Sequence, residues 1–404
     1  MRTTWTFHNA GQLLFGRGAV GQLGEIAQNL DAHRVLIITD KTLVDAGLVD
    51  QVRAPLADVG VSVDVFDGGE PEPPIHAVNA AIVMSADSKP DLLLGLGGGS
   101  NMDIAKAVAI VMAHGGAVKD YAGDQIVPGP IFPLLLVPTT AGTGSEVTAA
   151  SVLCDTDAGG KFGILSNHLR PKFAIVDPML TVSCPPKVTA ASGIDALTHA
   201  IEAYTAIDNE DFPLPEGERT VYQGRHPLAD VLAERAIGLV GQHLRSAVEN
   251  GNDLQAREGM SLAAMLAGMA FSNVGVAVVH ALEYALNQAA HTPHGTGCGL
   301  LLPYVMRFNA PARLDQMSRI AELLGENVAG LDAADAANRA VSAVERLKAD
   351  IGIPVGMSEV GVTAEQLPDM AKAAFGVKRI LRVNPRSVSQ EDLESILQSA
   401  LGGS

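Results

Sequence analysis

The sequence predicts two architectures in one chain: a doubly wound α/β nucleotide-binding domain over residues 1–184, then an all-helical metal-binding and substrate domain over residues 185–404. Three observations carry that prediction. Short apolar runs alternate with helical patterns through the first half, with glycines where the runs end, the pattern of a parallel sheet covered by helices. Beyond about Pro185 the strand signals disappear and long Ala/Leu-rich segments take over. Within that second half Asp195 and His199 are spaced four apart, so a helix presents both on one face.

In chain order, residues 14–18 (LFGRG) lead into a helical pattern over 20–30. Residues 35–39 (VLIIT) form a short apolar run ending in Asp40, as a buried parallel strand does. A second strand is predicted at 61–66, then the turn-rich DGGEPEPP and a helix at 75–85. The third strand, 91–96, runs directly into Gly97, Gly98, Gly99 and Ser100, and a strongly apolar helix follows over 101–114. Residues 134–137 are a further strand, breaking into PTTAGTGSE at 138–146. In the second half helices are predicted at 187–204, 227–250, 254–271, 277–290, 314–324 and 333–347, with an ordered loop or flap at 208–226. The segment from His280 ends in HTPHG, which reads as a helix-to-loop exit at His294.

Composition narrows the function classes. A length of 404 residues is enough for two or three domains and a large core. Hydrophobic residues at 47% beside charged residues at 18% are those of a globular soluble chain. The formal charge of −17 argues against a nucleic-acid partner, because phosphate binding needs clustered Lys and Arg. No run of about eighteen apolar residues occurs, so no membrane partner is expected. MRTTWTFHNAG lacks the apolar core of a secretory signal. Cys154, Cys184 and Cys298 are too few and scattered for a disulfide framework and show no metal-ligand spacing. A reduced, cytoplasmic protein is expected.

The motifs point to specific chemistry. Three glycines between a strand and a helix let backbone N–H groups approach a phosphate, and the helix N-terminus adds partial positive charge. The pattern GGGSN is not the G-x-G-x-x-G dinucleotide fingerprint, and a ligand-free tight turn would look the same. Asp103 and Lys106 fall in the first turns of the following helix. The PTTAGTGSE loop offers hydroxyls and N–H groups to a phosphate or an amide. Asp40 is placed to accept hydrogen bonds from a ribose and to repel a 2′-phosphate, which favours NAD over NADP, although an Asp opening a turn is also ordinary. Asp195 and His199, joined by His280 and His294, supply one carboxylate and three imidazoles to a divalent metal and leave a position open for a substrate oxygen.

GGGSNMDIAK (97–106), PTTAGTGSE and GIDALTHAIEAY (193–204), together with HTPHG, make the sequence resemble the iron-containing, group III alcohol dehydrogenase family. LLFGRGAV, ITDKTLVDAG, the PEPP loop, VDP at 176–178 and NPRSVSQEDLESIL extend the resemblance over nearly the whole chain. It implies the dehydroquinate-synthase-like fold, a homodimer, and reversible hydride transfer between NAD and a small primary alcohol or aldehyde. It also implies a bound metal, Fe2+ or alternatively Zn2+. Carried over by position, the metal ligands are Asp195, His199, His280 and His294. The cofactor contacts are Asp40, Gly97, Gly98, Gly99, Ser100, Thr139, Thr140, Thr143 and Lys161.

Two departures from that family stand out. A histidine four residues after the third ligand, often assigned to proton handling, is here Tyr284. The stretch between His199 and His280 is also longer, with VYQGRHPLAD in the extra part. Both features resemble the hydroxyacid–oxoacid transhydrogenase branch, which acts on 4-hydroxybutyrate-like substrates. Arg219 or Arg225 would then anchor a substrate carboxylate. Tyr284 and Asp103 are the candidate catalytic residues. His168, His226 and His291 read as satisfied or solvated, and Met260, Met265 and Met269 as packing. Glu202, one turn after His199, would either orient a metal ligand or be a plain helix-face residue, the second being the more ordinary reading.

Overall fold

Parallel pairing of buried strands builds the first unit, which comprises His8–Cys184 and Glu218–Val221. The computed structural model describes residues 3–156 and 160–402. In chain order this unit holds β1 (Gln12–Phe15), α1 (Leu23–Asn29), β2 (Arg34–Ile38), α2 (Lys41–Asp45), α3 (Leu48–Ala57), β3 (Ser62–Phe66), α4 (Ile75–Ser88), β4 (Leu92–Gly97), α5 (Gly99–His114), β5 (Gly123–Asp124), β6 (Leu134–Pro138), β7 (Ala150–Asp155), β8 (Gly160–Leu165) and β9 (Phe173–Val176). Among the described residues six strands form one sheet in the order β1-β9-β6-β4-β2-β3, every ladder parallel. A small second sheet carries β5, β8 and β7.

Period-two alternation assigns each strand residue to one of two core layers. Leu36, Ile38, Leu93, Leu134 and Leu136 pack with Val78 and Ala81 of α4 and with Met102, Ile104 and Val108 of α5. Val35, Ile37, Leu92, Leu94, Leu135 and Val137 pack with Leu23 and Ile26 of α1 and with Val49, Val52 and Leu56 of α3. All of these strand residues are at most 1% exposed, and each full burial contributes about 1.5–3 kcal/mol.

The chain leaves β2 for β3 on one side and then returns to β4 on the other side of β2. Strand order therefore reverses between β2 and β4, the position at which doubly wound sheets bind ligands. Asp40 follows β2, the glycine run follows β4, and PTTAGTGSE follows β6 beside it.

The second unit comprises the residues through Phe7, Pro185–Gly217 and Tyr222 onward. A boundary at 184/185 gives the first seven residues to the α/β side. The structure instead ties Trp5 and Thr6 to the helical unit, where Thr6 N donates to Gln223 Oε1 (3.0 Å) and Trp5 stacks on His226 at 4.5 Å. Its helices are α6 (Pro186–Thr205), α7 (Pro227–Glu249), α8 (Leu254–Val274), α9 (Val278–Ala290), α10 (His294–Asn309), α11 (Leu314–Leu323), α12 (Ala333–Asp350), α13 (Leu367–Gly376), α14 (Lys378–Leu381) and α15 (Gln390–Leu401). No single helix among the described residues is long and apolar enough to cross a membrane.

The central helix is α6, buried from Gly193 to Thr205 against α7, α8 and α10. The approach of α10 depends on two glycines. A Cβ at Gly295 would stand 2.1 Å from the Ala191 carbonyl oxygen, and one at Gly299 would stand 2.6 Å from Ile194 Cγ2. These positions press the face of α10 that carries His294 and Cys298 onto the face of α6 that carries Asp195. His294 opens α10 instead of ending α9, which corrects the expected loop exit.

Candidate functional site

In the α/β unit the sequence-predicted cofactor residues gather at the ends of β2, β4 and β6. Asp40 accepts from Leu43 N through Oδ1 (3.1 Å), capping α2, and from Asn101 Nδ2 through Oδ2 (2.7 Å). Asn101 also donates to the Leu96 carbonyl (3.2 Å), which ties the end of β2 to the glycine turn after β4. Thr139 N donates to the Gly97 carbonyl (3.0 Å), and a Cβ at Gly99 would stand 2.8 Å from Thr143 Cγ2. The glycine and threonine loops are thus in direct contact. Gly98 precedes α5 without a side-chain cap and no acidic residue stands in its first turn, so the first N–H groups of α5 offer hydrogen bonds to an anion.

Lys106 supports this loop pair from beneath. It is fully buried, neither a ligand-facing nor a solvated residue, and Nζ donates to the carbonyls of Ser145 (2.7 Å), Thr148 (3.2 Å) and Ala150 (2.7 Å). Burial lowers its pKa to about 8, against the charges of Asp103 and Glu146. Burial likewise raises Glu146, within the threonine loop, to about 7. Asp103, a sequence candidate for catalysis, has its two carboxylate oxygens engaged: Ser145 Oγ donates to Oδ1 (2.7 Å) and Val152 N to Oδ2 (2.9 Å). Its visible task is to fasten the loop and β7 to α5. Lys161, on β8, pairs with Glu72 at 3.1 Å.

In the helical unit Asp195 of α6, His280 of α9 and His294 of α10 converge. Asp195 Oδ1 lies 3.9 Å from His280 Nε2 and 3.7 Å from His294 Nε2. Two atoms each about 2.1 Å from a shared ion stand about 3.4–4.2 Å apart for angles between tetrahedral and linear. The residues therefore fit a divalent cation. Asp195 Oδ1 and His280 Nε2 are buried and take no hydrogen bond, a state that costs about 1–3 kcal/mol per neutral group and more for a charge. Burial alone raises the Asp195 carboxyl, but His199, His294, His280 and the nearby Cys298 thiol hold it below its ordinary value.

A glutamate stands against each of two imidazoles. His280 Nδ1 donates to Glu202 Oε2 (2.6 Å), and Glu202 also accepts from Ala277 N (2.8 Å) and Val279 N (2.7 Å). Glu202 is thus a buried anchor for His280, not a plain helix-face residue. Its carboxylate on Nδ1 sets the tautomer whose Nε2 lone pair faces a metal. Glu283 Oε2 lies 2.6 Å from His294 Nδ1, a close charge contact in which neither Glu283 oxygen takes a hydrogen bond. Glu283 went unrecognised in the sequence; its spacing of three from His280 was the available signal.

His199 stands beside this group. Its ring stacks on Phe271 at 4.0 Å and on His280 at 4.8 Å, with Nδ1 3.9 Å from Asp195 Oδ2. The four ligand atoms that lie mutually within 4.8 Å belong instead to Asp195, His280, His294 and Cys298. Cys298, expected to lack metal-ligand spacing, is four residues after His294 on α10, with Sγ 3.8 Å from His294 Nε2. Tyr284 is half-buried, its ring 6.5 Å from that of His294, and burial pushes its hydroxyl well above the usual range.

The remaining candidates have structural partners. Arg225 pairs with Asp208 (3.1 Å) and Asp230 (2.7 Å), closing the base of the 208–226 loop, whereas Arg219 is exposed. His226 caps α7 and His291 is the left-handed C-cap of α9. Met260 and Met265 are buried as packing.

Known proteins resemble this chain over nearly its whole length. The iron-containing alcohol dehydrogenase family matches residues 10–178, and the C-terminal region of the Fe-containing alcohol dehydrogenase family matches residues 218–401. The chain is 41% identical to long-chain-alcohol dehydrogenase 1 of Geobacillus thermodenitrificans, over 96% of this chain and 94% of that protein. It is 37% identical to the NAD-dependent methanol dehydrogenase of Bacillus methanolicus, over 96% and 97%. The mitochondrial hydroxyacid-oxoacid transhydrogenase of Rattus norvegicus is 32% identical over 99% and 90%. A crystal structure of 1,3-propanediol oxidoreductase superposes with a TM-score of 0.92 at 37% identity, covering 98% of this chain and all of that one.

Proposed function

The chain belongs to the iron-containing alcohol dehydrogenase family, an oxidoreductase family, and from that premise we propose that it transfers hydride reversibly between NAD and a small primary alcohol or aldehyde at a bound divalent metal. The observation that carries this reading is the convergence of buried Asp195 Oδ1 with the Nε2 atoms of His280 and His294. Asp195, His280 and His294, with His199 beside them, would hold Fe2+ or alternatively Zn2+. The bound ion supplies Lewis-acid polarisation of the substrate oxygen, while NAD supplies the hydride acceptor.

The chain's own residues do the rest. Glu202 holds the His280 imidazole in register through a hydrogen bond, and the Glu283 carboxylate places negative charge beside His294. Gly97, Gly98, Gly99 and Ser100, at the start of α5, bind the cofactor's phosphates through backbone N–H groups. Thr139, Thr140 and Thr143 line the cofactor from the adjoining loop, with Lys161 contributing positive charge. Asp40 accepts from the ribose, and its charge repels a 2′-phosphate. The Tyr284 hydroxyl, protonated near neutrality like any tyrosine and pushed further up by burial, is available as a hydrogen-bond donor and not as a base.

The alternative, exchange of hydride between a 4-hydroxybutyrate-like acid and an oxoacid on retained NAD, needs a cationic anchor, and Arg225 is engaged with Asp208 and Asp230. Assays of NADH formation on small primary alcohols and on 4-hydroxybutyrate, with and without 2-oxoglutarate, separate the two. NADH formation without an oxoacid supports the dehydrogenase; turnover only in its presence contradicts it.

A further inference from the structure

We propose that Cys298 is a direct ligand of the metal, a soft donor that biases this centre toward zinc. The inference rests on the metal reading above and goes beyond the four ligands which the family resemblance implies. Cys298 is fully buried and is one of the four donor residues whose ligand atoms lie mutually within 4.8 Å, together with Asp195, His280 and His294. The spacing suits coordination: with Zn–S at about 2.3 Å and Zn–N at about 2.1 Å, the observed Sγ to His294 Nε2 distance of 3.8 Å corresponds to an angle of about 120°.

The local sequence brings the sulfur there. His294 and Cys298 are one turn apart on α10, as Asp195 and His199 are on α6, and Gly295 and Gly299 on the same face of α10 let the two helices touch. Sγ lies 3.8 Å from His294 Nε2 and within 4.8 Å of the Asp195 ligand oxygen, so two of its neighbours are themselves candidate ligands. On coordination the sulfur binds as thiolate, and the displaced proton goes to solvent. Thiolate donors favour zinc over harder divalent ions. His199, stacked on Phe271, lies outside the four-atom set, which makes the thiolate the alternative fourth donor.

The test is X-ray absorption on full-length protein loaded with one equivalent of Zn2+, with the cobalt form read by its thiolate-to-metal charge-transfer band. The proposal expects a sulfur scatterer at about 2.3 Å beside nitrogen and oxygen scatterers. That sulfur should be lost in Cys298→Ser and in Cys298→Ala, and kept when Cys154 and Cys184, both in the other unit, are changed to Ser. Zinc affinity against a competing chelator should fall at least about tenfold in Cys298→Ser, with circular dichroism confirming that the variant is folded. Zinc bound through nitrogen and oxygen alone overturns the role of Cys298 and leaves the metal centre standing. Failure to bind either ion overturns both.

Discussion

The nucleotide loops and the metal cluster are both buried and polar, yet their hydrogen-bond economies are opposite. In the loops nearly every charged group has a partner within the α/β unit: Asp40 with Leu43 and Asn101, Asp103 with Ser145 and Val152, Lys106 with three carbonyls. In the cluster Asp195 Oδ1 and His280 Nε2 face one another across 3.9 Å with no hydrogen between them. The first region is nearly complete as folded, with the buried Glu146 Oε2 its unpartnered charged-group atom, and it offers a ligand the backbone N–H groups at the start of α5. The second is built around a charge that the chain itself does not supply.

That contrast breaks most sharply at Asp195. Changing Asp195→Asn keeps the shape, removes the charge and should reduce both bound metal and NADH formation to background, while NADH binding, read by nicotinamide fluorescence, is unchanged. Chelation should act in the same direction reversibly. A metal at about a hundredfold its dissociation constant contributes about 2.7 kcal/mol, so its removal should lower the melting temperature of a 404-residue chain by roughly 3 °C. An equal loss of NADH affinity would mean that the two regions are not independent in the way described.

One step down in effect is Glu202→Gln. It keeps a hydrogen-bond acceptor for His280 but loses the charge, and metal affinity should drop by about 10–100-fold, measured by competition with a chelator. An unchanged affinity would return Glu202 to a packing role.

What the sequence made legible follows the same physics. Strands β2, β4 and β6 could be read because burial on both faces makes them continuous apolar runs. Strands β1 and β9, four residues each, are too short to announce themselves, and Pro55 inside α3 obscures its helical pattern. Asp195 and His199 were legible by their helical spacing, and His280 and His294 as further histidines placed by the family resemblance. Cys298 and Glu283 were not. Once His294 is taken as a loop exit, the four-residue step to Cys298 is never applied, and Glu283 gains meaning only when α9 and α10 are placed side by side. For Asp103 the sequence offered its residue type alone, and the structure adds partners, Ser145 Oγ and Val152 N, that fasten the loop and β7 to α5.

Smaller effects sharpen the loop side of the comparison. Burial raises Glu146 from 4.5 to about 7, so the folded state binds an extra proton between those values and loses stability as pH rises through about 7. Glu146→Gln should therefore gain stability relative to the parent between pH 5 and pH 8, by an amount on the order of 1–3 kcal/mol, read by urea unfolding at both values. A constant difference across that range would show that Glu146 is not the titrating group. Asp40→Ala, the mildest change, removes the cap of α2 at a cost of about 1 kcal/mol and should raise the use of NADP relative to NAD, measured as the ratio of kcat/KM values.

The central claim is that Asp195, His280 and His294 enclose a cation. Metal analysis of protein purified without oxygen, followed by chelation and re-addition of Fe2+ or Zn2+, tests it most directly. The account predicts about one ion per chain, loss of NADH formation on chelation and its return with the ion. Protein that carries no metal, takes none up and still turns over alcohols would contradict it.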